Sequence, residues 1–251
     1  MISKNIRSPC LVSVSEIFYS LQGEGRYAGS HSVFVRLGGC NLVCPGFGAG
    51  GCDSYYAVNS KYKDSWSRID GKTAIAEHKK MMKFSHAHTV ITGGEPTLWF
   101  GNLDFMEFAK YLYDGGHRVT VETNATKEID FSFEPYRTFV YALSVKLSNS
   151  GEPEERRINM QALKNFIAES DYFFKFVLDS DLIKSGRAKQ EIEGILTPLG
   201  VSPEAVYCMP LGGDRAGLAE NARDVFEFCL DNGYSYSDRL HIRIFDKKKG
   251  V

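Results

Sequence analysis

The sequence predicts an α/β fold built on a parallel sheet, and three observations carry that expectation. Apolar runs of strand length recur along the chain, amphipathic patterns of helix length lie between them, and glycines, cysteines and polar residues gather just after the runs. The strand-like runs are Ser32–Leu37, His88–Thr92, Arg118–Glu122, Phe139–Val145, Tyr172–Leu178, Ala205–Met209 and Leu240–Phe245. Most are too apolar to have a wet face, as expected of strands covered on both sides. Helical patterns occupy Thr73–Phe84, Asp104–Tyr113, Ile158–Glu169, Ala188–Leu196 and Ala219–Asp231. Asp104 with Glu107 three residues on is a capping-box-like start, and Gly115–Gly116 is a stop. From residue 33 to about residue 210 this makes roughly six β/α units, which could close as a partial barrel or lie open as a doubly wound sheet. Periodicity alone does not choose between them.

In either arrangement ligands sit at the carboxyl ends of the strands. Gly38–Gly39–Cys40 follows the first run, Gly93–Gly94–Glu95–Pro96 the second, Thr123–Asn124 the third, Lys146 the fourth and Pro210–Leu211–Gly212–Gly213 the sixth.

With 251 residues, 30 Lys+Arg against 31 Asp+Glu, and 43% hydrophobic composition, disordered and fibrous classes are excluded. A net charge of −1 supplies no bulk attraction to nucleic acid or anionic lipid, and Lys247–Lys248–Lys249 reads as a solvated tail. No stretch approaches the ~20 apolar residues of a membrane span. The short run Leu11–Val14 is closed by Glu16 without a cleavage signal, so the chain reads as cytoplasmic. Gly46–Gly51 and Ser148–Pro153 are loops too short to be linkers, which leaves one domain over residues 1–251 and no repeat.

Six cysteines at positions 10, 40, 44, 52, 208 and 229 are too sparse for a disulfide scaffold. Cys40, Cys44 and Cys52, however, fall within thirteen residues, with four glycines between the last two that let the backbone wrap a compact guest. Thiolates are soft ligands for zinc or iron–sulfur. A structural zinc site wants four closed ligands, so His31 or His86 would have to complete it. A 4Fe–4S cluster on three thiolates leaves one iron open for a small molecule. Three buried thiols packed as small hydrophobes are the remaining alternative. Cys10, Cys208 and Cys229 sit in or beside apolar runs, where a buried thiol is the default.

The loop resembles the cluster loop of radical S-adenosylmethionine (SAM) enzymes, whose usual spacing is Cys-x3-Cys-x2-Cys, although here the spacing is x3 then x7. The flanks are more specific: Glu16-Ile-Phe-Tyr-Ser-Leu-Gln-Gly-Glu-Gly25, Val33-Phe-Val-Arg-Leu-Gly-Gly-Cys-Asn41, Cys52-Asp-Ser54, Thr92-Gly-Gly-Glu-Pro96, Glu122-Thr-Asn124 and Leu240-His-Ile-Arg-Ile-Phe245. Together, in order from about residue 16 to the C-terminus, these resemble the 7-carboxy-7-deazaguanine synthases, with Pro45–Gly51 read as an insertion that the family tolerates.

That resemblance implies a partial (β6/α3-like) TIM barrel of parallel strands with helices outside and an extra C-terminal strand. It implies conversion of 6-carboxy-5,6,7,8-tetrahydropterin to 7-carboxy-7-deazaguanine with loss of ammonia, on the route to queuosine-type deazapurines. The cofactors implied are a 4Fe–4S cluster, SAM and Mg²⁺; the partners are a flavodoxin-like or other reductant and a second copy in a homodimer. Cys40, Cys44 and Cys52 would hold the cluster. SAM would be bound by Gly93, Gly94, Glu95, Glu122, Asn124, Ser144 and Lys146, with Val145 in place of the family's proline. Gln22, Glu24, Arg36, Thr92 and His241 would grip the pterin, and Ser54, after Asp53, would hold Mg²⁺ where the family has threonine. The rivals are an activating enzyme for a glycyl-radical enzyme or an anaerobic ribonucleotide reductase, and, in another class, a zinc-stabilised binding protein.

Overall fold

The computed structural model describes residues 11–47, 51–248 and 250; Cys10, Lys249 and the middle of the cysteine loop, 48–50, lie outside these. Nine strands form one sheet: β1 (Val12–Leu21), β2 (His31–Leu37), β3 (Ser67–Ile69), β4 (His88–Gly93), β5 (Val119–Thr123), β6 (Val140–Leu143), β7 (Asp171–Leu178), β8 (Val206–Pro210) and β9 (Ser235–Tyr236). The helices are α1 (Tyr55–Val58), α2 (Gly71–Met81), α3 (Leu103–Asp114), α4 (Glu134–Arg137), α5 (Glu154–Arg157), α6 (Met160–Glu169), α7 (Ser180–Lys184), α8 (Arg187–Leu196), α9 (Arg215–Asn232) and α10 (Leu240–Phe245).

The strand order is β3-β1-β2-β4-β5-β6-β7-β8-β9, with β2 and β4 to β9 parallel and β1 antiparallel to both its neighbours. From β2 onward, sheet neighbours follow chain order without the reversal of a doubly wound sheet. Right-handed crossovers then place the helices on one face. The alternative left open by periodicity falls to an open, partial barrel.

Strand parity divides the barrel wall. Val35, Leu37, Ile91, Val121, Tyr141, Phe174, Phe176 and Cys208 join the apolar face of α3, where Phe105, Phe108, Ala109 and Leu112 recur at helical spacing, in the main core under the helices. The alternate residues face inward. Low in the barrel these are Val140, Ala142 and Phe173, packed with Tyr27 and Tyr207 into a second, smaller cluster. At the carboxyl ends they are Arg36, Thr92, Glu122, Ser144, Lys175 and Met209, all of which line a single cavity.

Two expectations are corrected and one strand is added. Leu240–Phe245 is not a strand but α10: the edge beside β8 is taken by Ser235–Tyr236, and of the apolar alternation only Ile242 is buried, leaving Leu240, Ile244 and Phe245 exposed. The first helix-capping expectation also moves, because Asn102 caps α3 by accepting from the backbone N–H groups of Asp104 and Phe105, while Asp104 accepts from Gly71 at the start of α2. The ten-residue β1 was missed because its serines and Glu16 break the apolar run; it pairs with β2 as a hairpin around Gln22–Ser30.

Two buried histidines brace the sheet: His78 Nε2 meets Thr89 Oγ1 at 2.9 Å and His88 Nε2 meets Thr120 Oγ1 at 2.9 Å. Burial, aided by His117 beside His78 and by Arg118 beside His88, pushes both down from 6.5 to about 4. The unfolded chain therefore takes up protons in this window that the native chain refuses, so stability falls as pH drops from about 6.5 towards 4, by on the order of 3 kcal/mol for each histidine. The midpoint of thermal unfolding is expected to fall steadily between pH 6.5 and 4.5. In the double variant His78→Gln/His88→Gln that fall should shrink by at least half; an undiminished fall would place the acid sensitivity elsewhere.

Candidate active site at the carboxyl ends of the strands

The cavity has a volume of about 780 Å³, large within the ~300–1,000 Å³ range of small-molecule sites. Cys40, Cys44 and Cys52 all line it, carried by the segment that leaves β2. Glycines let that segment pass close to its neighbours: a Cβ on Gly94 would lie 1.9 Å from the Gly39 carbonyl oxygen, and Gly93 has φ +135° against Leu37. The Leu42 N–H donates to Cys40 Sγ (3.4 Å), and Asn124, which also donates to Asn41 (3.0 Å), reaches that sulfur at 3.9 Å. Burial pushes the thiols up, Cys40 to about 11 and Cys52 to about 12, while Lys146 pulls all three the other way. Among the described residues, no three His, Cys, Asp or Glu side chains converge tightly enough to hold a single metal ion.

The same cavity holds a charged network. Glu24 accepts from Lys175 Nζ (2.8 Å) and Arg239 Nε (2.9 Å), Lys175 reaches on to Glu122 (3.2 Å), and Arg239 pairs with Asp53. Glu122 also accepts from Thr92 Oγ1 (2.8 Å) and Gln22 Nε2 (3.3 Å). Burial works to raise the Glu24 carboxyl, but Lys175, Arg239 and His241 outweigh it and hold the group well below the usual carboxylate range. Arg36 donates to Glu16 (2.7 Å) and to Ser54 Oγ (3.1 Å), and Tyr56 donates to the same Glu16 oxygen at 2.8 Å. His241 stands on α10 with its pKa lowered by desolvation, and the neighbouring Leu240 N–H donates to the Gly23 carbonyl. A side chain at Gly23 would strike the His241 ring, with a Cβ 2.4 Å from Nδ1.

The cavity thus gathers every residue expected at the site except one. Glu95 is fully buried and does not line it: one carboxylate oxygen accepts from the Thr97 N–H and hydroxyl and from Thr123 Oγ1, and the other accepts from the Asn124 N–H. Its carboxylate ties the end of β4 to that of β5. Lys146 donates to the Ser144 carbonyl and hydroxyl at 2.9 Å each, so Val145 leaves the pair side by side on the cavity wall. Lys247 and Lys248 are exposed, as a solvated tail requires, yet both line the cavity and Lys247 pairs with Asp214 at 3.0 Å.

Sequence reasoning missed Lys175, Arg239 and Glu16. Lys175 had a legible signal, as the one charge inside Tyr-Phe-Phe-Lys-Phe-Val-Leu, because a lysine in a buried strand must be paired. Arg239 gave none.

No family model matches the chain. It is 32% identical over 257 aligned residues to the 7-carboxy-7-deazaguanine synthase of Halobacterium salinarum, covering 93% of this chain and 90% of that one. It is also 32% identical to the Rhodopirellula baltica protein of the same name, covering 95% and 88%. In fold it is similar to QueE from Escherichia coli, with a TM-score of 0.67, 22% identity and coverage of 92% and 95%. Streptococcus suis SuiB, solved bound to S-adenosylmethionine, superimposes over 79% of this chain and 48% of its own length at TM-score 0.52 and 15% identity. Identity at this level along nearly the whole of both chains, with the cysteines and the charged network meeting in one cavity, means that the chain belongs to the 7-carboxy-7-deazaguanine synthase family.

Proposed function

We propose that the chain, acting as one domain over residues 1–251, converts 6-carboxy-5,6,7,8-tetrahydropterin to 7-carboxy-7-deazaguanine with loss of ammonia. A single observation carries this reading: one cavity holds both three soft thiol ligands and the Glu24–Lys175–Glu122 network. The donor set fits a 4Fe–4S cluster held by Cys40, Cys44 and Cys52, because thiols that burial keeps protonated need a cation to become thiolates, and a cubane spreads its ligands around a volume instead of gathering them on one ion. When bound, the cluster and SAM supply the radical that removes a hydrogen from the substrate and returns it.

The chain's own residues bind and orient. Gly93–Gly94 offer close backbone approach, Asn124 and Ser144 offer hydrogen bonds, and Lys146, whose partners are both uncharged oxygens, offers its ammonium to a carboxylate. Glu122 offers acceptors to SAM, and Gln22, Glu24 and Thr92 present acceptors to the donor-rich edge of an aminopyrimidinone. His241, whose pKa desolvation lowers, adds a ring nitrogen, and Arg36 supplies a guanidinium to the pterin carboxylate. A flavodoxin-like reductant and a homodimer belong to the same reading. Anaerobic incubation with the pterin, SAM and dithionite is the test: 7-carboxy-7-deazaguanine forming without net loss of SAM is expected, and SAM cleavage with no change in the pterin would sink the proposal.

Mg²⁺ is assigned to Ser54, next to the Asp53 carboxylate at the cavity edge. The Ser54 hydroxyl oxygen accepts from Arg36 and keeps a second lone pair for a cation, and Asp53, itself paired with Arg239, lies beside it to offset the repulsion between the guanidinium and the metal. Activity should rise with Mg²⁺, and Ser54→Ala should raise the half-saturating Mg²⁺ concentration several-fold, whereas Ser54→Thr keeps the oxygen and should match wild type. Identical half-saturation in all three would mean that the metal, if used, is held elsewhere.

A further inference from the structure

Glu152 is a buried carboxylate that no role described so far uses, and it is aimed at the cysteine loop. Its side chain is 2% exposed, and one oxygen accepts from the backbone N–H groups of Val43 (2.5 Å) and Cys44 (2.8 Å). Cys44 has φ +50°, a left-handed conformation that a non-glycine residue keeps only under constraint from its surroundings. Around this contact the two segments interlock. The Gly46 N–H donates to the Ser150 carbonyl (2.8 Å), and a Cβ on Gly46 would lie 2.1 Å from the Asn149 carbonyl oxygen. Arg156 pairs with the second Glu152 oxygen (3.4 Å) and donates to the Asn41 carbonyl (2.8 Å). The base of the segment is itself fixed: Glu191 accepts from the Ser148 N–H (2.7 Å) and pairs with Arg157 (3.4 Å), and Arg157 donates to the Lys146 carbonyl (2.9 Å).

We propose that Glu152 is a positioning residue for the cysteine loop, holding the Cys44 backbone so that a loop of x3–x7 spacing keeps its thiols on the cavity wall, and keeping a negative charge beside whatever those thiols bind. The inference rests on the reading that Cys40, Cys44 and Cys52 hold an iron–sulfur cluster. Reduction adds an electron, and a fixed negative charge nearby opposes it. Arg156, paired with the second Glu152 oxygen, is half exposed and offsets that charge only in part. The remaining negative charge lowers the reduction potential.

The test has one arm with the cluster and one without. In reconstituted protein, Glu152→Gln, which keeps the shape and removes the charge, should retain iron and sulfide yet titrate at a more positive midpoint potential by electron paramagnetic resonance. Glu152→Asp, which restores the charge, should return most of the way. Purely structural bracing would leave that potential unmoved. In the apo chain, alkylation of Cys44 by iodoacetamide, followed by peptide mass, should run at least tenfold faster in Glu152→Ala than in wild type, with Cys229 unchanged. Should Glu152→Ala fail to fold, the same measurement on Glu152→Gln decides, with a smaller acceleration expected. A Gln variant with wild-type potential and wild-type Cys44 alkylation overturns the inference. Wild-type protein that takes up no cluster overturns the underlying reading instead, and the apo arm then still decides whether Glu152 holds Cys44.

Discussion

Cys52→Ala is expected to abolish SAM cleavage and product formation, and Cys40→Ala and Cys44→Ala to do the same. Three thiolates are the fewest that hold a four-iron cluster with one iron left open, so losing any one removes the chemistry itself and not a fraction of its rate. Cys52 is the informative position, since it is reached through seven residues where the usual spacing has two. It nevertheless lines the same cavity as Cys40 and Cys44. The controls are Cys208→Ala and Cys229→Ala: both thiols are buried in the main core, Cys208 on β8 and Cys229 on α9, so these changes should cost about 1 kcal/mol of stability and leave turnover at the wild-type level. Iron and sulfide per chain after anaerobic reconstitution, with product by liquid chromatography, are the measurements. A Cys52→Ala protein with a full cluster and wild-type turnover would show that the lengthened loop has been misread.

Glu24→Gln should leave SAM affinity near wild type and lower pterin affinity by roughly 30- to several-thousand-fold, the range that corresponds to losing a buried charged contact worth about 2–5 kcal/mol. Glutamine is the right replacement because the folded state can accommodate it. Lys175 keeps Glu122 and Arg239 keeps Asp53, so neither cation is left buried without a carboxylate. Glu24→Ala would confound the result by opening a gap between them. The native Glu24 carboxyl is held well below its ordinary value, so it stays ionised through neutral and mildly acidic pH. The stabilisation it contributes is present above its unfolded value and is lost only as the pH falls through the lowered one. Pterin binding should therefore be flat between pH 6 and 8 as far as Glu24 is concerned. Equal losses of SAM and pterin affinity would count against a dedicated substrate role.

The interior strands were legible because a strand buried on both faces is mostly apolar, as Val140–Leu143 is throughout and Tyr172–Leu178 is except for Lys175, and helix-period patterns between such runs require a parallel arrangement. The cysteine loop and the residues after each strand were legible for a related reason: glycines, thiols and carboxylates have few uses at strand ends other than holding something. A strand with one wet side was not legible in β1, where Glu16 and the serines look like loop. Nor was α10, whose alternating Leu240, Ile242 and Ile244 mimic a strand until the edge of the sheet is found to be occupied by Ser235–Tyr236.

Pairing is what the linear chain withholds. The resemblance implies a SAM contact for Glu95, yet Thr97, Thr123 and Asn124 donate to its oxygens once β4 lies beside β5. Lys175 and Arg239 became members of the site only when β7 and the segment before α10 converged on Glu24, 151 and 215 residues away in sequence. Which side chains are present, and their period, is local information that sequence carries directly. Which donor meets which acceptor depends on strand register and on desolvation, and both exist only after the chain has closed on itself.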